Sequence, residues 1–234
     1  MALCPFAERR LLPENETQPA IKPRAIIAHS AGGMGELSGW WNNPGSRGLE
    51  SHFWISYGGR IVQYIDTEVR ADANGEANGF AISIETESTT HATEAWPPRQ
   101  ADALVRLMDW LCTTHAIPRK VMETPTSSGL GWHVMFGAPG PWTSVKGKVC
   151  PGQARIEQYQ TEIIPAVAAA TGPTPSPGGF LPMLTDAEQR ELLTLSRETS
   201  LRVSQLQAEV VGTVDAKGKS RMDRIVDLLT SLKG

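Results

Sequence analysis

Residues 171–182, TGPTPSPGGFLP, limit what this chain can fold into more than any other stretch. Four prolines and three glycines in twelve residues cannot continue a helix or sit inside a sheet, so the segment reads as a semi-extended linker. It separates a block of residues 1–170 from a region of residues 183–234. The block is long enough to close one hydrophobic core. The two parts carry different patterns, so each is read separately.

Within residues 1–170, short apolar runs alternate with helical periodicity. "RAIIAHS" is an apolar run ending on polar residues, as a buried strand does. "SHFWISYGGRIVQYID" reads as a hairpin, two aromatic-rich runs flanking Gly58-Gly59, which tolerate the positive φ of a tight turn. In "GFAISIETES", Phe80, Ile82 and Ile84 alternate with small or polar residues, predicting a strand with one buried face. Glu85 then shares the opposite face with Ala81 and Ser83. Leu104, Leu107, Met108 and Leu111 recur at helical spacing between Gln100 and His115, and Pro118 follows the end. A second helix is expected after Cys150-Pro-Gly, through Ile156, Tyr159 and Ile163, with Pro165 kinking or ending it. Strands interleaved with helices predict an α/β fold around a mixed central sheet flanked by helices.

Residues 183–234 carry helical signals only. Thr185 and Glu188 form a capping-box pattern, followed by a ragged apolar stripe from Leu192 to Val210 and a shorter one from Met222 to Leu232. Eight basic and eight acidic residues lie between 185 and 234, so this is not a basic wall-anchoring arm. A helical pair docked on the first block, a self-association element and a wall-binding module all remain open. The stripes, without wall-binding repeats, favour the first two.

Overall charge and composition exclude several classes. A net charge of −3 argues against a nucleic-acid partner or an anionic membrane surface. No stretch of about 18 apolar residues predicts a membrane-spanning helix. "MALCPFAERRLLPENE" lacks the apolar run of a signal peptide. Three widely spaced cysteines, Cys4, Cys112 and Cys150, do not make a disulfide framework.

The chemistry-bearing candidates are His29 after its apolar run, His133 in "GWHV" and Cys150 in "KGKVCPG". Two imidazoles and a thiolate suit Zn²⁺, and three protein ligands leave a fourth position open, the mark of a catalytic site. Taken singly, each is weak evidence: a histidine ending a strand is more often just polar, and an isolated cysteine is usually a small buried hydrophobe. His52, His91 and His115 lack such a setting; His115 is expected at a helix C-terminus, where positive charge is favourable. Trp40, Trp41, Trp54 and Trp132, with Gly32, Gly33 and Gly35, are expected to shape a cleft, although core packing suits Trp54 as well.

Together, "IIAHS", "SHFWISYGGRIVQYID", "GFAISIETE", "GWH" and "KGKVCPG" resemble, in order and spacing, the type 2 zinc N-acetylmuramoyl-L-alanine amidases, which include phage lysozyme-like amidases and peptidoglycan recognition proteins. The resemblance covers roughly residues 20–165. Its flavour, with "ADANGEANGFAISIETES" and "WTSVKGKVCPG", is similar to endolysins of phages that infect actinobacteria.

That resemblance implies a zinc held by His29, His133 and Cys150, the third position being Asp in some members. It places the family's oxyanion-stabilising lysine on Lys148. Many members carry a catalytic Tyr immediately before the hairpin's "HF", where this chain has Ser51. Another branch carries a Glu in "IGIE", matched here by "ISIE", so the general base falls on Glu85. Tyr57 and Tyr64 stay open as helpers. A solvent-facing strand residue is the plainer reading of Glu85, and a solubilising pair with Lys146 that of Lys148. The implied activity is hydrolysis of the amide between N-acetylmuramic acid and L-alanine in peptidoglycan. An endolysin would stay in the host cytoplasm until a separate membrane-permeabilising protein releases it to the wall. A non-catalytic recognition module and a zinc peptidase acting on cross-links are the alternatives.

Overall fold

A computed structural model of the chain describes residues 2–37, 39, 49–137 and 140–170. The expected linker and C-terminal helices, and Trp40 and Trp41, lie outside the described residues. Among the described residues, six strands form one mixed sheet in the order β1-β4-β3-β5-β2-β6. The strands are β1 (Glu8–Arg9), β2 (Ala25–Ala28), β3 (Phe53–Ile55), β4 (Ile61–Gln63), β5 (Ala81–Thr86) and β6 (Gly129–Trp132), with a one-turn helix α1 (Glu14–Thr17) between β1 and β2. The pairings along β3-β5-β2-β6 are parallel, as is β1 with β4, and only the β3–β4 hairpin is antiparallel. Its turn depends on Gly59 at φ +84°, where an added Cβ would also meet the Arg99 carbonyl oxygen at 2.7 Å.

All four residues of β2 are buried, because helices and loops cover both faces of a central parallel strand. Ile26 and Ala28, with Ile82 and Ile84 of β5, face helix α2 (Pro98–His115), which contributes Leu104, Leu107, Met108 and Leu111. Pro98 fits the first helical turn, where a missing N–H costs nothing, and Ala116 in left-handed geometry ends the helix. Removing one of these side chains, as in Leu107→Ala, should cost about 2–5 kcal/mol. Ala25, Ile27 and Ala81 point the other way and pack with Met122 and Trp142. Gly131 leaves room there; a Cβ would sit 3.3 Å from the Trp142 ring.

Three local expectations change. Phe80 does not share a face with Ile82 and Ile84. It closes a 3₁₀ turn, Gly75–Gly79, so strand alternation begins only at Ala81, and Phe80 packs with the Ala81 side. Pro165 does not end its helix. The chain runs from α3 (Gln153–Gln158) through a π-helical turn, Tyr159–Ile163, into α4 (Ile164–Ala169). That wider turn relieves the clash between the proline ring and the carbonyl four residues earlier. His115 ends α2 as expected, but burial lowers its pKa, against Glu68 and Asp66, and so disfavours the positive charge expected there; its Nε2 lies 2.8 Å from Thr67 Oγ1.

Candidate active site

The carboxyl ends of three adjacent parallel strands bring the site together, the usual position for a ligand crevice in such sheets. His29 directly follows β2, and its backbone N–H donates to the Ile84 carbonyl at 2.8 Å. His133 directly follows β6, and its N–H donates to the Ala28 carbonyl at 3.2 Å. Cys150 lies in the loop before α3, anchored by the Val134 N–H donating to its carbonyl at 3.2 Å. Residues 29 and 150 are far apart in sequence, yet the Ser30 N–H donates to Cys150 Sγ at 3.2 Å.

Donor atoms of His29, His133 and Cys150 all lie within 4.8 Å of one another. The imidazole centroids are 4.3 Å apart, and Cys150 Sγ is 3.8 Å from His29 Nδ1. Two such ligands on a tetrahedral Zn²⁺ would stand about 3.6 Å apart at usual bond lengths. Asn74 Oδ1 holds His29 Nε2 at 2.7 Å, and His133 Nδ1 is buried without a partner among the described residues. A free Nδ1 lone pair on His29, an orphaned ring nitrogen on His133 and an adjacent sulfur fit a zinc ion.

Electrostatics point the same way. Burial holds His29 well below the ordinary imidazole value, and the charges of His133 and Lys148 push it further, against the Asn74 hydrogen bond. Burial, with Lys148, lowers His133 to about 4. Both rings are therefore neutral near pH 7, as metal ligands must be. Burial, then the neighbouring Glu85, pushes the Cys150 thiol up to about 12. A bound cation would supply the compensating charge for its thiolate.

These ligands open onto a cavity of about 350 Å³ that Glu85 and Lys148 also line. Glu85 Oε1 lies 3.7 Å from His29 Nδ1, while Oε2 is buried without a partner among the described residues. Burial raises its carboxyl to about 7, opposed by Lys148 and then Arg155. The Glu85 side therefore faces the cavity and not solvent. Lys148 is half-buried on the cavity wall, whereas Lys146 is exposed and away from it, which separates the two lysines.

Of the three hydroxyl candidates, only Ser51 lines the cavity. Tyr57 donates to Glu94 Oε1 at 2.8 Å, and Tyr64 donates to Glu36; both hydroxyls are engaged elsewhere. Of the four expected cleft tryptophans, the two among the described residues, Trp54 and Trp132, do not line the cavity. Trp54 is buried with Val62 and Tyr64, and Trp132 packs edge-on against Tyr159 at 6.2 Å. Gly32, Gly33 and Gly35 instead tie the loop after His29 to the segment after β5, through Ser88 and Glu87. Two residues that sequence reasoning passed over belong here: Asn74, which orients His29, and Glu50, which lines the cavity. Neither carries a sequence signal beyond the polar turn "DANG" and the polar residue before "SHF".

Residues 19–153 match the family described as N-acetylmuramoyl-L-alanine amidase, more than half of the chain. No curated protein matches it. Among solved structures, N-acetylmuramoyl-L-alanine amidase LysC from Clostridium intestinale URNW is 19% identical, with a TM-score of 0.50 over 67% of this chain and 96% of that one. PlyL is 18% identical, with a TM-score of 0.51 over 69% and 96%. A mutant of PlyL is 17% identical, with a TM-score of 0.52 over 69% and 97%. At such identities the likeness is one of fold, and it matches the mixed sheet and flanking helices described above. With its fold and the family match over residues 19–153 in agreement, the chain belongs to the N-acetylmuramoyl-L-alanine amidase family.

Proposed function

We propose that this chain is a zinc-dependent endolysin that hydrolyses the amide between N-acetylmuramic acid and L-alanine in bacterial peptidoglycan. The observation that carries this reading is the convergence of Glu85, Lys148 and the three candidate ligands on one cavity. Zn²⁺ on His29, His133 and Cys150 would supply Lewis acidity at the scissile carbonyl and acidify a water. Glu85, with an unpaired buried oxygen, takes a proton from the attacking water and passes it to the leaving nitrogen. The water oxygen bonds to the carbonyl carbon, the C–N bond breaks, and L-alanine departs with a free amino group. Lys148 holds positive charge beside the carbonyl oxygen as it gains negative character.

The endolysin role draws support from an amidase of like fold, the endolysine LysCS of Clostridium intestinale URNW, 18% identical with a TM-score of 0.50. The chain would then act at the wall after a membrane-permeabilising partner releases it; among the described residues no helix is long and apolar enough to cross a membrane. A purely recognising module would not need Glu85 and Lys148 beside an intact ligand set.

The test is digestion of purified peptidoglycan with product identification and metal analysis. New L-alanine amino termini, with stoichiometric zinc, are expected. Cleaved cross-links without such termini would point to a peptidase, and full activity without bound metal would remove the zinc.

A further inference from the structure

Two polar groups on the cavity wall, a carboxyl and a hydroxyl, have no role in the chemistry above. Glu50 is 2% exposed and Ser51 is fully buried, yet Glu50 Oε2 and Ser51 Oγ have no hydrogen-bond partner among the described residues. Both line the same cavity as His29, His133, Cys150, Glu85 and Lys148. Among the described residues, Gln18 Nε2 lies 3.5 Å from Glu50 Oε1, and its shorter bond of 2.7 Å goes to Asp72. The backbones of Asp72 and of Glu50 itself also face the Glu50 carboxyl, and their effect is smaller than that of burial. Buried polar atoms in native proteins are satisfied with few exceptions, so a pair on a cavity wall with no partner among the described residues is suited to a group that arrives with the substrate.

The surroundings restrict that donor's chemistry. Burial, then the carboxylates of Asp72 and Glu14, all disfavour more negative charge at Glu50. An arriving carboxylate would face the like charge of Glu50, Asp72 and Glu14, whereas an N–H group would meet the oxygens of the Glu50 carboxyl and the Ser51 hydroxyl. Resting on the amidase reading, we propose that Glu50 and Ser51 form a substrate subsite that accepts a peptide carboxamide N–H and rejects a free carboxylate in the same place.

The test uses the full chain and two N-acetylmuramoyl-L-alanyl peptides. They differ only in whether the carboxyl group on the residue after alanine is free or a primary carboxamide. Wild type should favour the carboxamide by about ten-fold or more in kcat/KM, mostly through KM. Glu50→Gln should bring the preference within about two-fold, and Ser51→Ala, a smaller change, should reduce it in part. Binding of both peptides to a Glu85→Gln chain, measured by calorimetry, separates the two readings. Cleavage with no preference, or a preference that persists in Glu50→Gln, overturns the subsite and leaves the amidase standing. A Glu50-dependent binding preference without cleavage at alanine by wild type supports the subsite and overturns the amidase.

Discussion

Asn74 Oδ1 lies 2.7 Å from His29 Nε2, and this one bond selects which nitrogen of the ring faces Cys150. A carbonyl oxygen only accepts, so Nε2 carries the hydrogen and Nδ1, 3.8 Å from Sγ, presents a lone pair. Such outer partners typically set metal affinity by 10–100-fold. Asn74→Ala should therefore weaken zinc binding by about that factor in chelator competition, while Asn74→Asp, which keeps an acceptor, should stay nearer wild type. Equal affinity in Asn74→Ala and wild type would show that packing alone orients the ring.

Glu85 and Cys150 should fail in different ways. Glu85→Gln keeps the shape of the cavity and all three ligands, so zinc content should hold while kcat falls roughly 10²–10⁴-fold. Cys150→Ser replaces a thiolate by a poorer ligand, and zinc and activity should fall together. Metal content by elemental analysis, read beside turnover, distinguishes them. Zinc loss in Glu85→Gln would make Glu85 a ligand and not a base.

What the sequence made legible was local. The runs "AIIA" and "AISIET" could be read as strands from their apolar patterns, but alternation in the second suggested one buried face where the structure buries both, because Ala81 and Ser83 are covered as well. His29 could be picked out because it directly ends such a run, whereas "GLGW" before His133 carries no plain strand pattern and that ligand could be picked out through the resemblance of "GWH". Asn74 could not, since its importance lies in a contact with a residue 45 positions away. Glu50 was equally silent, because burial of a carboxylate before a strand depends on the walls folded around it. Phe80 misled because a 3₁₀ turn displaced the start of alternation by one residue.

Two lysines two residues apart offer an internal control. Lys148 lines the cavity and lowers the pKa of His29 and His133, whereas Lys146 is exposed. Lys148→Met should lower kcat by about 10²–10³, the usual effect of removing an oxyanion-stabilising group. Lys146→Met should stay within about two-fold of wild type, since an exposed loop charge touches nothing in the cavity. Similar losses in both variants would assign the lysines a common role in substrate attraction. That role would weaken with added salt, and the Lys148→Met effect on kcat should not.

His52 supplies a pH dependence independent of the cavity ligands. The Ser83 N–H donates to its Nδ1 at 3.1 Å, and its Nε2 donates to the Val69 carbonyl at 2.9 Å, so the fold holds a neutral ring. Burial lowers its pKa to about 4; Asp66 opposes this and His115 adds to it. Protonation would set an Nδ1–H against the Ser83 N–H. Because the folded value is depressed, the unfolded chain binds the proton first. Stability is full above about pH 6.5 and is lost as pH falls towards 4. For one such histidine the loss between pH 7 and pH 4.5 is about 2 kcal/mol. Urea unfolding of wild type and His52→Gln at both pH values isolates it, because His29, His133 and His115 titrate in both proteins. His52→Gln should be less stable at pH 7 but lose about 2 kcal/mol less on acidification. Parallel losses in the two proteins would mean that His52 is not the group whose protonation weakens the fold.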